Sequence, residues 1–257
     1  MMRFTIITCT YNAADVLQPT LDSIAAQQYP AVEHLIIDGG SADATVSIAQ
    51  RYKQQTEAEE PQGRTVVVTS EPDKGLYDAM NKGLAKATGD YLVFLNAGDT
   101  LPDADTLADI ARTVGNERPG VLYGDTDIVD REGHFLRHRR LAPPEHLTWH
   151  SFRHGMLVCH QAFYVRTDIA KQVSYTLRYH YSADVDWCIR VMKQCQQSGL
   201  TLKNLHRRVA CYLDGGMSAT NHRASLHERF TIMRSHYGLI TTLTMHLWFM
   251  VRAILKR

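Results

Sequence analysis

The chain has 257 residues, and its 28 lysines and arginines almost balance its 27 aspartates and glutamates, for a formal net charge of +1. Nucleic-acid-binding proteins usually carry a strong basic excess, so this balance argues against a nucleic-acid partner. The five cysteines are odd in number and never form a Cys-x-x-Cys pair. That pattern argues against a disulfide framework or a structural zinc site and favours a reducing compartment.

Strand-like and helix-like segments alternate over the first hundred residues. Short β-branched or apolar runs predict strands, and apolar residues spaced three or four apart predict helices. In chain order the prediction is strand 4–9, helix 15–28, strand 34–38, helix 45–55, strand 65–69, helix 77–86 and strand 91–95. This alternation is typical of a Rossmann-like, mostly parallel sheet with flanking helices, so we expect an α/β fold.

Three of these predicted strands end in polar residues: Thr8 or Thr10-Tyr11 at the first, Asp38 at the second and Asp99 at the fourth. In a parallel sheet these strand ends share one edge, where open α/β folds bind ligands. The chain has neither a Walker lysine loop nor Gly-x-Gly-x-x-Gly, so the usual NTPase and dinucleotide sites are not indicated. An acidic site without such a loop can bind phosphate through a divalent cation. The alternative is an ordinary strand exit with a helix-capping aspartate.

The second half carries a further pair of acids. Residues 102–114 predict a helix and residues 121–125 a strand, and residues 181–190 begin another helix with Val185 and Ile189 facing inward. Asp184 and Asp186 lie in the first turn of that helix. Acids in a first turn often only cap the helix, which is the structural explanation for both.

Four motifs occur in a fixed order: residues 8–12 (TCTYN), 38–45 (DGGSADAT), 71–83 (EPDKGLYDAMNKG) and 94–99 (FLNAGD). Together they resemble the family-2 inverting glycosyltransferases of the GT-A fold, and within that family the bacterial enzymes that build surface polysaccharide. The similarity covers roughly residues 3–220. It implies a nucleotide-sugar-binding half at 1–100 and an acceptor and catalytic half at 101–220, with a helical tail at 221–257.

The resemblance implies a set of nucleotide-sugar contacts: Thr8, Tyr11, Asp38, Asp73, Lys74, Asn96 and His160. Asp38 would accept a hydrogen bond from the base, and Asp73 with Lys74 would help hold the base or the phosphates. The alternatives are a helix-capping role for Asp38, packing under the first loop for Tyr11, and a satisfied buried histidine for His160.

The resemblance also implies a metal, Mn²⁺ or Mg²⁺, held by Asp99 on the donor diphosphate. Many relatives carry Asp-x-Asp at this strand exit, whereas this chain reads Asn96-Ala97-Gly98-Asp99. One carboxylate can suffice because phosphate and water supply the other ligands. The missing acid is the best support for the alternative, a non-catalytic nucleotide- or glycan-binding module on a degenerate scaffold.

The segment around Asp184 resembles the family's acid-Asp-x-Asp segment, although Ala183 replaces the usual glutamate. Inverting transfer is a direct displacement at the anomeric carbon, and a positioned carboxylate can take the proton of the attacking hydroxyl. The resemblance makes Asp184 the catalytic base, with Asp186 as the second candidate. Residues 215–218 (GGMS) resemble a turn near the acceptor.

Both ends of the chain bear on where in the cell we expect the protein to be. The N-terminus lacks a signal peptide, and no stretch is long and uncharged enough to span a bilayer, so we expect a cytoplasmic protein. Residues 239–257 are apolar, contain Trp248 and end in Lys256-Arg257. They predict either a helix at the inner membrane surface, which would suit a glycan or polyprenyl-linked acceptor, or a helix packed on the domain or on a second subunit.

Overall fold

The computed structural model describes residues 1–58, 63–215 and 221–255. The described strands are β1 (Phe4–Thr10), β2 (Val32–Asp38), β3 (Arg64–Ser70), β4 (Tyr91–Phe94), β5 (Val121–Val129), β6 (Phe135–His138), β7 (Phe163–Arg166) and β8 (Leu202–Leu213). The described α-helices are α1 (Ala14–Ala25), α2 (Thr45–Ala58), α3 (Leu76–Lys86), α4 (Thr106–Val114), α5 (Thr167–Ala170), α6 (Ala183–Gln197), α7 (His222–Tyr237) and α8 (Leu239–Leu255). Two 3-10 helices cover Trp149–His154 and His160–Ala162.

The strands form one sheet with the order β3-β2-β1-β4-β7-β5-β6, and β8 pairs with β5. β1 pairs in parallel with both β2 and β4, and β2 pairs in parallel with β3. The short strand β7 is antiparallel to β4 and β5 and joins the two halves of the sheet. The predicted α/β architecture is confirmed; the antiparallel insertion of β7 was not indicated by the sequence.

Burial in the core explains why the strands of the first half could be predicted from the sequence. Every residue of β1, β2 and β4 is buried, because helices cover both faces of this part of the sheet. Helix α3 lies directly on the sheet at Gly83, where an added Cβ would lie 2.5 Å from Cγ2 of Ile7. Glycine at this position therefore sets the close approach of helix and sheet.

His34 is a buried polar residue inside this core. Its Nε2 lies 2.9 Å from Oγ1 of Thr8, and its Nδ1 lies 3.2 Å from the hydroxyl of Tyr52. Burial lowers the pKa of His34 from 6.5 to about 3, so the folded chain holds a neutral imidazole.

We expect this histidine to make the folded state less stable in acid. Below about pH 6.5 the unfolded chain takes up a proton on His34 and the folded chain does not, so the free energy of unfolding falls by about 1.4 kcal/mol per pH unit. Urea titrations from about pH 7 down to about pH 5 measure the slope. His34→Gln should reduce the slope by one proton, and the exposed control His180→Gln should leave it unchanged. Equal slopes in all three proteins would contradict the assignment.

The tail consists of two helices that meet at Gly238, whose φ of 82° turns the chain between them. Tyr237 at the end of α7 stacks on Trp149 with centroids 5.6 Å apart and donates its hydroxyl to the Trp149 carbonyl, at 2.6 Å. Helix α7 therefore packs on the domain. Within the described ranges, no helix is long and apolar enough to cross a membrane. Residues 216–218 of the predicted turn and the final Lys256-Arg257 lie outside the described residues.

Candidate active site

The carboxylate of Asp38 joins the ends of three parallel strands. Thr10, Asp38 and Ser70 are neighbours in the register of β1, β2 and β3. The hydroxyls of Thr10 and Ser70 donate to this carboxylate at 3.0 and 2.7 Å, and the backbone N–H groups of Gly40 and Ser41 donate at 3.0 and 2.9 Å. Burial alone would raise the pKa of Asp38, but the bonds from Ser41, Ser70 and Thr10 lower it below its usual value. Asp38 is therefore an ionised, rigidly held group at this edge.

The loops after β2 and β3 pack against each other beside Asp38. A Cβ on Gly39 would lie 2.4 Å from Oδ2 of Asp73, so the missing side chain makes room for that carboxylate. Asp73 Oδ1 accepts the N–H of Gly75 at 2.8 Å, and Lys74 is exposed next to it. The side chain of Tyr11 is 65% exposed on the neighbouring loop. Together these residues form an open polar rim.

Thr8 does not reach this rim. It is fully buried, and its hydroxyl donates to the carbonyl of Leu95 at 2.8 Å while contacting His34. The structure therefore differs from the expectation of a nucleotide contact here, because strand β1 continues for two more residues. Thr10, which bonds to Asp38, occupies the strand end instead.

Asp99 lies in the turn that follows β4. Its Oδ2 accepts Nε2 of Gln161 at 2.8 Å, and its Oδ1 accepts the N–H of Leu213 at 3.1 Å. Burial raises the pKa of Asp99 to about 7, although both of these bonds lower it. In the same turn the side-chain oxygen Oδ1 of Asn96 is buried without a hydrogen-bond partner. The turn thus offers two oxygen donors with unused lone pairs, the type of donor that Mg²⁺ and Mn²⁺ prefer.

His160 belongs to a layer of aromatic rings behind these acids. Its ring stacks on Phe94 with centroids 5.2 Å apart, and its Nε2 lies 2.6 Å from the hydroxyl of Tyr175. Tyr175 in turn stacks on Trp187 at 4.9 Å and on Tyr77 at 5.6 Å. Burial lowers the pKa of His160 to about 4, so it is neutral. We call these five rings, Tyr77, Phe94, His160, Tyr175 and Trp187, the aromatic layer.

Asp184 lies in the first turn of helix α6, at the border of the aromatic layer. Its Oδ1 accepts the hydroxyl of Tyr77 at 3.3 Å, and the residue is half-buried. Burial raises the pKa of Tyr212 on β8 to about 12, and the nearby charges of Asp99 and Asp184 contribute to the rise. Asp184 therefore borders the aromatic layer through its bond to Tyr77, which stacks on Tyr175.

Asp186, the second candidate base, points into a different set of contacts. Its carboxylate bonds to Nε of Arg190 at 2.8 Å, to Nε2 of His236 at 2.8 Å and to the hydroxyl of Thr176 at 3.0 Å. Burial would raise the pKa of Asp186, but these three partners lower it below the usual value. With its oxygens engaged by protein groups, Asp186 joins helix α6 to helix α7.

Glu228 on helix α7 is a residue that sequence reasoning missed. Its two carboxylate oxygens accept three successive backbone N–H groups, those of His180 at 2.7 Å and of Tyr181 and Ser182 at 2.9 Å. Ser225 of the same helix lies 3.0 Å from Ser182 through their hydroxyls. Helix α7 thereby fixes the segment that leads directly into Asp184. A lone glutamate in a polar helix gives no sequence signal for such a role.

We expect Glu228→Gln to lower the turnover of any reaction that needs Asp184. An amide in place of the carboxylate turns an NH₂ group toward a backbone N–H, which costs about 1–3 kcal/mol of stability. Ligand binding at the polar rim should stay near the wild-type value, because that rim lies on other elements. Initial-rate kinetics and thermal unfolding measure both effects. Glu117→Gln, which removes an exposed ion pair with Lys203, is the matched control. Unchanged turnover in Glu228→Gln would contradict a positioning role.

One other group of metal-type side chains, Asp130, Glu132 and His134, occurs among the described residues. It lies in the exposed turn between β5 and β6, where Asp130 bonds to the amides of Glu132 and His134. These bonds shape the turn, and exposed acidic groups are common without an ion. The group carries no argument for a metal.

Comparison with solved structures identifies the fold. Two solved structures share the fold: S. aureus TarS 1–349 in complex with UDP-GlcNAc (TM-score 0.71, 18% identity) and the mannosyltransferase PcManGT from Pyrobaculum calidifontis in complex with GDP-Man and Mn²⁺ (TM-score 0.63, 17% identity). Each match covers 91% of this chain and just under two thirds of the other, 65% and 64%. The fold is the GT-A fold of glycosyltransferases.

Sequence relatives define the family. Residues 5–173 match the family described as glycosyl transferase family 2. The chain is 36% identical over 220 residues to a PGL/p-HBAD biosynthesis glycosyltransferase of Mycobacterium bovis, covering 84% of this chain and 79% of that protein. It is 29% identical over 200 residues to the amylovoran biosynthesis glycosyltransferase AmsB of Erwinia amylovora, covering 75% and 64%. The chain belongs to glycosyltransferase family 2, as its four motifs predict.

Proposed function

We propose that this chain transfers a sugar, with inversion, from a nucleoside-diphosphate sugar to a glycan or lipid-linked acceptor, with Asp184 as the catalytic base. One observation carries the proposal: the half-buried carboxylate of Asp184 has a single side-chain partner among the described residues, the hydroxyl of Tyr77. This bond places Asp184 at the border of the aromatic layer. Asp184 thus keeps lone pairs for the proton of a substrate hydroxyl.

The donor would bind at the polar rim. Asp38 and Asp73 form its acidic side, Tyr11 presents an exposed ring for a base, and Lys74 supplies a positive charge near the phosphates. Asn96, in the same turn as Asp99, would contact the ribose or the donor sugar through its side chain. The solved GT-A neighbours are described with UDP-GlcNAc and with GDP-Man, which supports a nucleoside-diphosphate sugar as the donor class.

The donor set at the turn after β4 fits a divalent cation. Asp99 would hold Mn²⁺ or Mg²⁺ through its carboxylate, and the unpartnered amide oxygen of Asn96 is the second donor within reach of the same turn. Gln161 and the Leu213 N–H fix the orientation of the carboxylate. When bound, the cation would neutralise charge on the leaving diphosphate. The Mn²⁺ in the PcManGT complex supports this assignment.

The reaction follows from these positions. An acceptor hydroxyl attacks the anomeric carbon while the bond from that carbon to the diphosphate oxygen breaks. Asp184 takes the hydroxyl proton during the attack, and the Tyr77 hydroxyl holds the carboxylate in place. A single displacement inverts the anomeric configuration. His160, which is neutral and stacked on Phe94, packs with the rest of the aromatic layer behind Asp184.

The acceptor class comes from the relatives. The mycobacterial relative is named for PGL/p-HBAD biosynthesis and the Erwinia relative for amylovoran biosynthesis. We extend this to the chain as synthesis of a bacterial surface glycan at the cytoplasmic face of the membrane. Asp186 remains the second candidate base from sequence, but its three protein partners favour a structural role.

The experiment that tests the proposal is a transfer assay. Purified protein is incubated with Mn²⁺, a panel of UDP- and GDP-sugars and a short glycan or polyprenyl-phosphate-sugar acceptor, and nucleoside diphosphate release is measured. The anomeric configuration of the product, read by NMR coupling constants, distinguishes inversion from retention. Donor binding without any product across the panel would favour the non-catalytic binding module, which the single acid of residues 96–99 supports.

A further inference from the structure

Helix α8 presents an apolar face to the outside of the molecule. Seven large apolar side chains on it are exposed: Leu239 47%, Ile240 80%, Leu243 52%, Leu247 59%, Trp248 51%, Met250 59% and Val251 39%. At 100° per residue these positions fall within one half of the helix circumference. Contiguous exposed apolar surface on this scale marks an interaction site in a folded protein.

The other half of the helix is packed on the protein, so the exposed face has a fixed direction. Thr242 is fully buried and donates its hydroxyl to the Gly238 carbonyl at 2.7 Å. The ring of His246 packs edge-on against Phe230 of α7, with centroids 5.1 Å apart. Helix α8 therefore lies along the body of the protein, and its apolar face is turned away from that body toward solvent.

Charge distinguishes between the partners that could cover this face. Residues 229–257 contain no aspartate or glutamate but carry Arg229, Arg234, Arg252, Lys256 and Arg257. Since the whole chain has a net charge of +1, the residues before this segment are net negative. A second copy of the segment would bring the same positive charge to the contact. An anionic bilayer surface is both apolar at the depth of the side chains and negative at the headgroups.

We propose that α8 binds in the plane of an anionic lipid bilayer, with its exposed apolar face in the headgroup and upper acyl region. Trp248 lies within this face, and indole rings favour the interface because they are apolar with one polar N–H. The basic side chains of the segment would contact lipid phosphates.

Helices α7 and α8 also connect the proposed lipid contact to helix α6. Helix α7, which continues into α8, carries Glu228 and holds the segment before Asp184. A bilayer bound to α8 would therefore lie on the side of the molecule that carries α7 and α8. An acceptor carried by that bilayer would then be on the same side as these helices. This consequence rests on the proposed function, whereas the binding of α8 to lipid does not.

The test is co-sedimentation of the full chain with vesicles of phosphatidylcholine alone and of phosphatidylcholine mixed with phosphatidylglycerol. We expect binding to the mixed vesicles, weakened by added salt, and little binding to the neutral ones. The tryptophan emission should shift to shorter wavelength on binding. The double variant Ile240→Ser/Leu247→Ser should bind at least tenfold more weakly, because it removes two exposed anchors.

The matched control is Leu136→Ser on β6, a leucine that is 46% exposed elsewhere on the surface. It should bind vesicles like the wild type. Donor affinity, measured without vesicles, should be the same in all variants, which separates this proposal from the proposed transferase activity. Undiminished vesicle binding by the double variant would overturn the proposal. So would a stable dimer by light scattering that the double variant abolishes, with no vesicle binding by the wild type.

Discussion

Asp184→Asn should reduce sugar transfer by about two to four orders of magnitude while leaving the affinity for the nucleotide donor unchanged. Asparagine keeps the shape of the side chain and can still accept the Tyr77 hydroxyl through its amide oxygen. It cannot take a proton from an acceptor hydroxyl near neutral pH. The loss should therefore be in kcat, with the KM for the donor close to the wild-type value. Initial rates of nucleoside diphosphate release and calorimetric titration of the donor measure the two effects.

The matched control for this substitution is Asp105→Asn, at the N-cap position of α4. Asp105 is also an acid at a helix start, its side chain makes no capping bond, and it is exposed. Both substitutions remove one negative charge from a helix N-terminus and should cost a similar, small amount of stability. Asp105→Asn should transfer sugar at the wild-type rate. Full transfer by Asp184→Asn would remove Asp184 from the mechanism and would return Asp186 to consideration.

The parallel half of the fold could be predicted because its signals are local. Strands β1, β2 and β4 are buried on both faces, so each is rich in β-branched or apolar residues that predict a strand. The antiparallel direction of β7 could not be predicted, because the residues of a strand do not show which strands it will pair with. Its place between β4 and β5 depends on long-range pairing.

The same difference between local and distant signals explains the candidate site. Asp38 and Asp99 follow strands in a parallel sheet, so their position at one edge follows from topology. Thr8 and Thr10 are only two residues apart, and deciding between them requires the exact end of β1, which sequence patterns do not define to that precision. Gln161 and Glu228 reach their partners across 62 and 46–48 residues, and no spacing rule connects positions so distant.

The metal assignment leads to the second large expected effect. Chelation with EDTA should lower UDP or GDP affinity of the wild type at least tenfold, an effect of about 1.4 kcal/mol or more. Asp99→Asn should bind the nucleotide at that weaker level in Mn²⁺, and EDTA should then have no further effect. The reason is that asparagine loses the negative charge that holds the cation, although its amide oxygen can still accept one of the two present bonds.

Stability provides the control for Asp99→Asn, because a simple loss of folding would also weaken binding. Burial raises the pKa of Asp99 to about 7, so ionising this carboxyl in the metal-free protein opposes folding. The folded state holds a proton there that the unfolded chain has released, so this contribution to stability is lost as the pH rises from about 4 to about 7. A neutral asparagine avoids that loss. The metal-free variant should therefore lose less stability than the metal-free wild type between about pH 4 and about pH 7, while the amide NH₂ that faces one of the two donors adds a cost that does not change with pH. If Asp99→Asn keeps wild-type affinity and the wild-type response to EDTA, the cation is held elsewhere.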